Sequence, residues 1–355
     1  MMKIIAVHLL NDFSGSPLVL SQLLRGFAEK KTDIDLFTSD TKGFLSDIEG
    51  VNQNTIPYHW SSLKLLTLFH FLLFNAKLFS KIIRYSNQDV KIYINTLLPF
   101  GAALAGYFIR KKVIYHVHET SIKPAILKRF LRWVVKISAM EIIYVSSFLK
   151  EKETIRGVPS KVIYNSLSHE FLKKVKIDTH KQDFRVLMLC SLKKYKGTEQ
   201  FIALARKTNF IQFDLVLNAT EEEVKDYVIK SDMPDNCFIY PATDDVHAFY
   251  RKASVVINLS LPDQWLETFG MTILEGMHYR LPAIVPHAGG PRELVEHGKN
   301  GFLVDPYNID DIQKYLHKYF SDHQLYLNHS HYAAQVARQF SFQQQLSVVH
   351  NLLMS

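Results

Sequence analysis

The 355-residue chain has only two cysteines, Cys190 and Cys237, and no C-x-x-C pair. That excludes a disulfide framework and points to a reducing compartment. The G-x-G-x-x-G fingerprint is missing, which counts against a dinucleotide-dependent enzyme. No low-complexity tract or short-period repeat occurs, so a solenoid is excluded. A secretory signal is not expected, because the apolar run Ile4–Leu10 is short, meets Asp12 and has no A-x-A site. Long uncharged runs are scarce too. The longest, Ile92–Ile109, is divided by Pro99, Gly101 and Gly106, and Ser61–Arg84 is interrupted by Lys64, His70, Asn75 and Lys77. Both stretches are expected to belong to soluble domains rather than to span a bilayer.

Acidic residues are deficient in one half alone. Residues 1–170 hold 22 Lys/Arg against 13 Asp/Glu, and residues 171–355 hold 20 against 21, within a net charge of +8. The basic half is expected to face something anionic: a membrane surface, a phosphorylated lipid or an acidic glycan. The segment Lys123–Lys136 sets Lys128, Arg129, Arg132 and Lys136 beside Phe130, Leu131 and Trp133 at helical spacing. It fits a surface helix with one core face, and also peripheral membrane contact. With no recognition motif beside the charge, nucleic acid is not expected as a partner.

What is present is a repeated alternation of short β-branched runs with helical stretches. Strands are expected at Lys3–His8, Asp33–Thr38, Lys91–Ile94, Lys112–His116, Glu141–Val145 and Lys161–Tyr164. A second series follows at Arg185–Leu189, Asp214–Leu217, Cys237–Tyr240, Ser254–Leu259, Ala283–Pro286 and Gly301–Val304. Helices are expected between them, as at Ser16–Lys30 and Lys123–Ile137, and through the last forty residues. Two β/α series predict an α/β chain of two doubly wound, Rossmann-like domains facing a cleft. The expected boundaries are 1–168, 169–335 and a C-terminal helix 336–355 that packs back on the first domain. The join is read at the polar, lysine-rich Ser166–Asp183.

The strongest chemical signal is Glu267-Thr-Phe-Gly-Met-Thr-Ile-Leu-Glu275. A helix starting near Gly270 offers free N–H groups and a positive dipole end, both suited to phosphate oxygens. Glu267 then precedes the helix, and Glu275 lies about one and a half turns inside it. Carboxylates only accept hydrogen bonds, so they suit paired hydroxyls. Together these describe a site for a sugar nucleotide.

In Ser191–Gly197, at the end of the first strand of the second series, lysines would neutralise a diphosphate. Lys196 is the first candidate, because the adjacent Gly197 marks a turn or a close backbone approach. The same stretch also reads as a solvated basic loop. For His116 and His118, three readings stand: a metal pair lacking a third ligand, a buried satisfied histidine, and, for His118, contact with a transferred sugar. Asp33-Ile34-Asp35 lies within a strand and reads as edge decoration, so no metal is assigned. Gly15 and Ser16 form a weak phosphate or acceptor loop.

Taken together, these motifs resemble the family 4 retaining glycosyltransferases of the GT-B fold, over nearly the whole chain. The resemblance is strongest from Ala253-Ser-Val-Val-Ile-Asn258 through Glu267-Thr-Phe-Gly270, Leu274-Glu-Gly-Met277, Pro282-Ala-Ile-Val285 and Gly289-Gly-Pro-Arg-Glu-Leu-Val295 to Asn300-Gly-Phe-Leu-Val304. His118-Glu119, Val145-Ser146 and Asn165 fall where the family has similar residues. The resemblance implies that Glu267 binds donor-sugar hydroxyls and that His118 contacts the sugar near the reaction centre. It implies phosphate and sugar binding by the backbone of Phe269, Gly270, Met271 and Thr272, ribose binding by Glu275, and diphosphate binding by Lys196. No metal and no cofactor is implied, the nucleotide sugar being a co-substrate. The acceptor would be a glycan or lipid-linked hydroxyl in surface polysaccharide biosynthesis, at the cytoplasmic side of the membrane.

The chain departs from the family pattern at four places. Ser191 stands where an arginine is common, with Lys193 or Lys194 in line to replace its charge. Ser16 follows Gly15 in place of a second glycine, and Ser166 follows Asn165. Arg280 sits where a helix-ending glycine is usual, and is expected in a left-handed conformation. Two rivals fit the same sequence: a sugar-nucleotide epimerase or hydrolase, and a non-catalytic binding subunit of a polysaccharide assembly complex.

Overall fold

The computed structural model describes residues 2–178 and 183–354; part of the join read at Ser166–Asp183 therefore lies outside the described residues. The chain divides into two compact units, Met1–Asn165 with Phe342–Ser355, and Ser166–Ser341.

Unit 1 runs β1 (Lys3–Val7), α1 (Gly15–Glu29), β2 (Asp33–Ser39), β3 (Asn52–Ile56), α2 (Lys64–Ile82), β4 (Val90–Asn95), α3 (Phe100–Phe108), β5 (Val113–Val117), α4 (Ala125–Ser138), β6 (Ala139–Tyr144), α5 (Ser147–Glu153) and β7 (Ser160–Val162). Its seven parallel strands lie in the order β3-β2-β1-β4-β5-β6-β7. Ile4, Ile5, Ile92, Ile94, Ile114 and Ile142 are fully buried, which is why these strands read as apolar runs rather than alternating ones. The order reverses between β1 and β4. Right-handed crossovers then put α1 on one sheet face and α2, α3 and α4 on the other.

Unit 2 runs α6 (His169–Lys173), β8 (Arg185–Ser191), α7 (Thr198–Lys207), β9 (Gln212–Asn218), α8 (Glu221–Lys230), β10 (Cys237–Tyr240), α9 (Val246–Lys252), β11 (Val255–Ile257), α10 (Met271–His278), β12 (Ala283–Pro286), β13 (Gly301–Val304), α11 (Ile309–Ser321) and α12 (His323–Ala337). Six parallel strands lie in the order β10-β9-β8-β11-β12-β13, with the reversal between β8 and β11. Phe201, Phe213, Leu215 and Ile257 fill its core. The last helix, α13 (Phe342–Met354), belongs to unit 1, where it packs against α1.

The sequence reading is corrected at one edge. The polar Asn52-Gln-Asn-Thr-Ile56 forms the edge strand β3, so β2 is internal. Asp35 is then no edge decoration. It is buried and accepts hydrogen bonds from Lys3 Nζ (3.0 Å), Asn52 Nδ2 (2.8 Å) and Tyr85 Oη (2.6 Å). Burial alone would raise its pKa. Those three donors outweigh burial and hold it below the usual carboxylate range.

Candidate active site

In unit 2 the sequence-predicted residues gather at the carboxyl ends of β8 and β11, where the strand order reverses and open sheets bind ligands. β8 ends at Ser191, and the chain then turns through Lys193–Lys196 to Gly197. Gly197 has φ +79°, and a Cβ there would stand 2.1 Å from the Leu259 carbonyl oxygen. Only glycine lets this loop lie against the end of β11. The Leu261 N–H donates to the Tyr195 carbonyl (2.8 Å), locking the two loops together. Lys196 thereby meets Glu267, 71 residues away, in a part-buried ion pair. Its ammonium also lies 5.5 Å from the Trp265 ring centre, and Trp265 stacks on Tyr195 at 5.1 Å. The Cys190 thiol beside this pair is pushed up to about 12 by burial. Lys194 does not join the pair; its ammonium reaches Glu199 (3.2 Å) at the exposed surface, and Lys193 is exposed.

The segment before α10 is held from the other side by the loop Gly289–Gly290. The Gly290 N–H donates to the Glu267 carbonyl (2.7 Å). A Cβ at Gly290 would stand 2.1 Å from the Thr268 carbonyl oxygen, so a side chain there would displace the segment that carries Glu267. α10 begins at Gly270 (φ +112°) with no side-chain cap and no acidic residue in its first turn. The N–H groups of Ile273 and Leu274 both turn to the Gly270 carbonyl (3.1 Å each). Those of Met271 and Thr272 have no acceptor among the described residues. An uncapped N-terminus with free donors favours an anion. The Phe269 side chain is buried against Phe340, so only its backbone is available to a ligand.

Glu275 lies deeper. It is buried, and Oε2 accepts a 2.6 Å hydrogen bond from the Tyr250 hydroxyl. Burial pushes its carboxyl up to about 7, while the Tyr250 bond pulls it down. Tyr250 stacks on Tyr279 (5.5 Å) and also donates to the Thr272 carbonyl (3.1 Å), tying Glu275 to the first turn of its own helix. α10 ends as the sequence indicates: Arg280 is left-handed at φ +60°, and its carbonyl accepts from the Ser330 hydroxyl.

In unit 1 the predicted residues lie beyond the end of β1 and at the end of β5, with Asn95 at the end of β4 between them. Ser14 N–H and Oγ bond Asp12 Oδ1 (3.0 and 2.5 Å), forming the turn from which α1 starts at Gly15. The Ser16 carbonyl accepts from Asn95 Nδ2 (3.0 Å). That bond fixes the amide orientation, so Asn95 Oδ1 faces His118 Nε2 at 2.8 Å. An amide oxygen only accepts, so His118 carries its proton on Nε2 and offers Nδ1 as an acceptor. Burial, with help from the neighbouring His116 and His8, pushes the His118 pKa well below the usual imidazole range. His118 is therefore neutral at pH 7.

His116 takes the bland reading. It is fully buried, Nδ1 pairs with Tyr93 Oη (2.6 Å) and burial pushes it down to about 3, but it is not fully satisfied, because Nε2 has no hydrogen-bond partner among the described residues. The Glu119 carboxylate turns to the Leu97 and His118 N–H groups (2.6 and 3.1 Å), away from both imidazoles; burial pushes it up to about 7. Sequence reasoning missed Asn95, Tyr250 and Trp265. Each acts on a residue already singled out, but Asn95 and Tyr250 do so from 23 and 25 positions away.

Residues 170–338 match the family model described as Glycosyl transferases group 1. An uncharacterized glycosyltransferase of Haemophilus influenzae is 30% identical over 151 residues, 41% of this chain and 42% of the relative. A probable sucrose-phosphate synthase 4 of Oryza sativa subsp. japonica is 35% identical over 82 residues, 23% of this chain and 8% of the relative. The chain thus spans less than half of either curated relative. Among solved structures, Anabaena Alr3699/HepE in complex with UDP and glucose has a TM-score of 0.83 at 20% identity, over 100% of both chains. The sucrose-phosphate synthase of Thermosynechococcus elongatus has 0.81 at 15%, over 99% of this chain and 98% of its own. At such identities the structural likeness is one of fold: two Rossmann-like α/β units of GT-B type.

Proposed function

We propose that this chain, which carries a glycosyl transferases group 1 segment at residues 170–338, is a retaining glycosyltransferase of family 4. It moves a sugar from a nucleoside diphosphate donor to a hydroxyl of a glycan or lipid-linked acceptor, in surface polysaccharide biosynthesis. The observation that carries the reading is the Lys196–Glu267 pair set three residues before the uncapped start of α10. A cation and free amides suit a diphosphate, and the carboxylate between them suits sugar hydroxyls.

The chemistry follows from placement. Lys196 and the Met271 and Thr272 N–H groups stabilise the charge that builds on the departing diphosphate. Lys196 exchanges part of its bond to Glu267 for phosphate oxygens, which leaves the Glu267 carboxylate free to orient the sugar. Glu275 accepts from the ribose hydroxyls. In unit 1, neutral His118 accepts a sugar hydroxyl through Nδ1, and Gly15–Ser16 serves the acceptor or a phosphate. The neighbour solved with UDP-glucose makes a uridine diphosphate sugar the first donor to try.

The test is calorimetry and turnover with UDP-glucose and related donors. Glu267→Ala, Lys196→Ala and Glu275→Ala are each expected to lower transfer by about a hundredfold or more, with thermal unfolding of the chain retained. Wild-type turnover in all three would remove the site. Nucleotide release that is equally fast without acceptor would favour a hydrolase instead, and conversion of the donor to another sugar nucleotide without net release would favour an epimerase.

A further inference from the structure

We propose that the α2–α3–α4 face of unit 1 is a docking surface for an anionic phospholipid bilayer, with α2 lying in the plane of the interface. This does not depend on the chemistry assigned to unit 2. The first observation is apolar exposure. Leu65, Phe69 and Leu72 stand at i, i+4 and i+7 on α2, opposite the face that buries Phe71, Phe74, Leu78 and Ile82. They are 83%, 59% and 50% exposed, and Trp60 just before the helix is 78% exposed. A water-facing helix ordinarily shows polar residues there.

The surface continues across α3 to α4. Phe79 meets the exposed Phe108 of α3 (ring centres 5.9 Å apart) and Phe100 of α3 meets the exposed Phe130 of α4 (5.0 Å), while the buried Phe71 ties α2 to Phe100 from the inner face (5.6 Å). On α4, Ile126, Phe130 and Trp133 repeat the i, i+4, i+7 spacing and are exposed.

The second observation is charge. Residues 50–140 hold 13 Lys/Arg but only two acids, Asp89 and Glu119. The Glu119 carboxylate turns inward to backbone N–H groups. Lys64, Lys77, Lys81, Arg129 and Lys136 have no carboxylate partner among the described residues. Beside Trp133 a depression of about 360 Å³ opens, lined by Arg132, Lys136 and Arg156 among others. Apolar side chains, interfacial tryptophans and unpaired cations at one surface are the chemistry that recognises anionic headgroups over an acyl layer.

α2 is long and apolar enough, by length and composition, to cross a bilayer. Its inner face argues otherwise. Asn75 Oδ1 accepts from the Gly101 N–H (2.8 Å), and a Cβ at Gly101 would stand 2.0 Å from the Asn75 carbonyl oxygen. The helix is locked backbone to backbone onto α3, which suits it to lie on a membrane rather than to leave the domain.

The experiment is co-sedimentation of the full chain with vesicles of phosphatidylcholine alone and with 30 mol% phosphatidylglycerol, at low and high salt (roughly 0.05 and 0.5 M). Binding is expected to the anionic vesicles only, to weaken with salt and to be released by alkaline carbonate. Two variants, Leu65→Ser/Phe69→Ser/Leu72→Ser and Arg129→Ser/Trp133→Ser/Lys136→Ser, are each expected to lower partitioning at least tenfold. Near-UV circular dichroism and the UDP-glucose thermal shift should stay as in the wild type. Retention through carbonate, wild-type partitioning by both variants, or no binding to either vesicle would overturn the proposal. So would a salt-stable dimer in sedimentation velocity that the α2 variant abolishes, which would make a second copy the partner.

Discussion

Glu275 is the residue whose ionisation the fold most visibly controls. Its carboxyl titrates near 7 in the folded chain, above its ordinary value. Between those two values the folded state binds the extra proton, so its contribution to stability falls as pH rises through that window and levels off above it. The ionised form offers hydroxyls more acceptor sites and stronger, charge-assisted hydrogen bonds than the protonated form does. Affinity for UDP-glucose, a phosphodiester whose own charge is constant here, is therefore expected to climb toward pH 7 and then flatten. Tyr250→Phe removes a bond that favours ionisation, so the midpoint should move to higher pH; titration calorimetry across pH 5 to 9 reads both. An affinity independent of pH would separate Glu275 from the ligand.

At this scale the sequence is informative where a residue type has a single chemistry. A glutamate before a glycine-started helix, or a lysine before a tight turn, announces itself. That Lys196 and Glu267 hold each other, or that a tyrosine 25 positions upstream tunes Glu275, depends on loop packing that no local pattern encodes.

Elements place the site through contacts too close for a side chain. Gly290→Ala would drive a methyl into the Thr268 carbonyl, so the loop or the Glu267 segment must move. We expect donor affinity to fall by about tenfold or more, while unit 1 keeps its hydrogen-exchange protection. Unchanged calorimetric affinity would show that the loop does not position Glu267.

The sequence marks most elements because buried parallel strands are apolar and β-branched. It misses β3, whose Asn52-Gln-Asn-Thr-Ile56 is polar, as an edge tolerates. It lengthens β11, whose pairing covers only Val255–Ile257 while the flanking residues are already loop. Asp35 is misjudged for the same reason: its burial is created by the strand that was not seen.

At the scale of the molecule, unit 1 is assembled from both ends of the chain. α13 buries Leu346, Val349, Leu352 and Leu353, and Leu346 lies where a Cβ on Gly26 of α1 would be. Ending the chain at Ser341 uncovers that face, at a cost on the order of 5 kcal/mol. α1 amides are expected to lose exchange protection in the truncated chain while β8 to β12 keep theirs; equal protection of α1 in both would show that the helix adds nothing. The β/α alternation predicts two sheets, because each series restarts with its own strand. It sets the return to the first at residue 336 where the structure has Phe342, because α12 and α13 are both amphipathic and only packing distinguishes them.

That return has a consequence for synthesis. A ribosome making this protein delivers the seven strands of the first sheet early, then all of the second unit, and only at the last residues the helix that seals α1. The first unit waits with an oily flank uncovered while residues Ser166–Ser341 are made, and chaperones have their opening there.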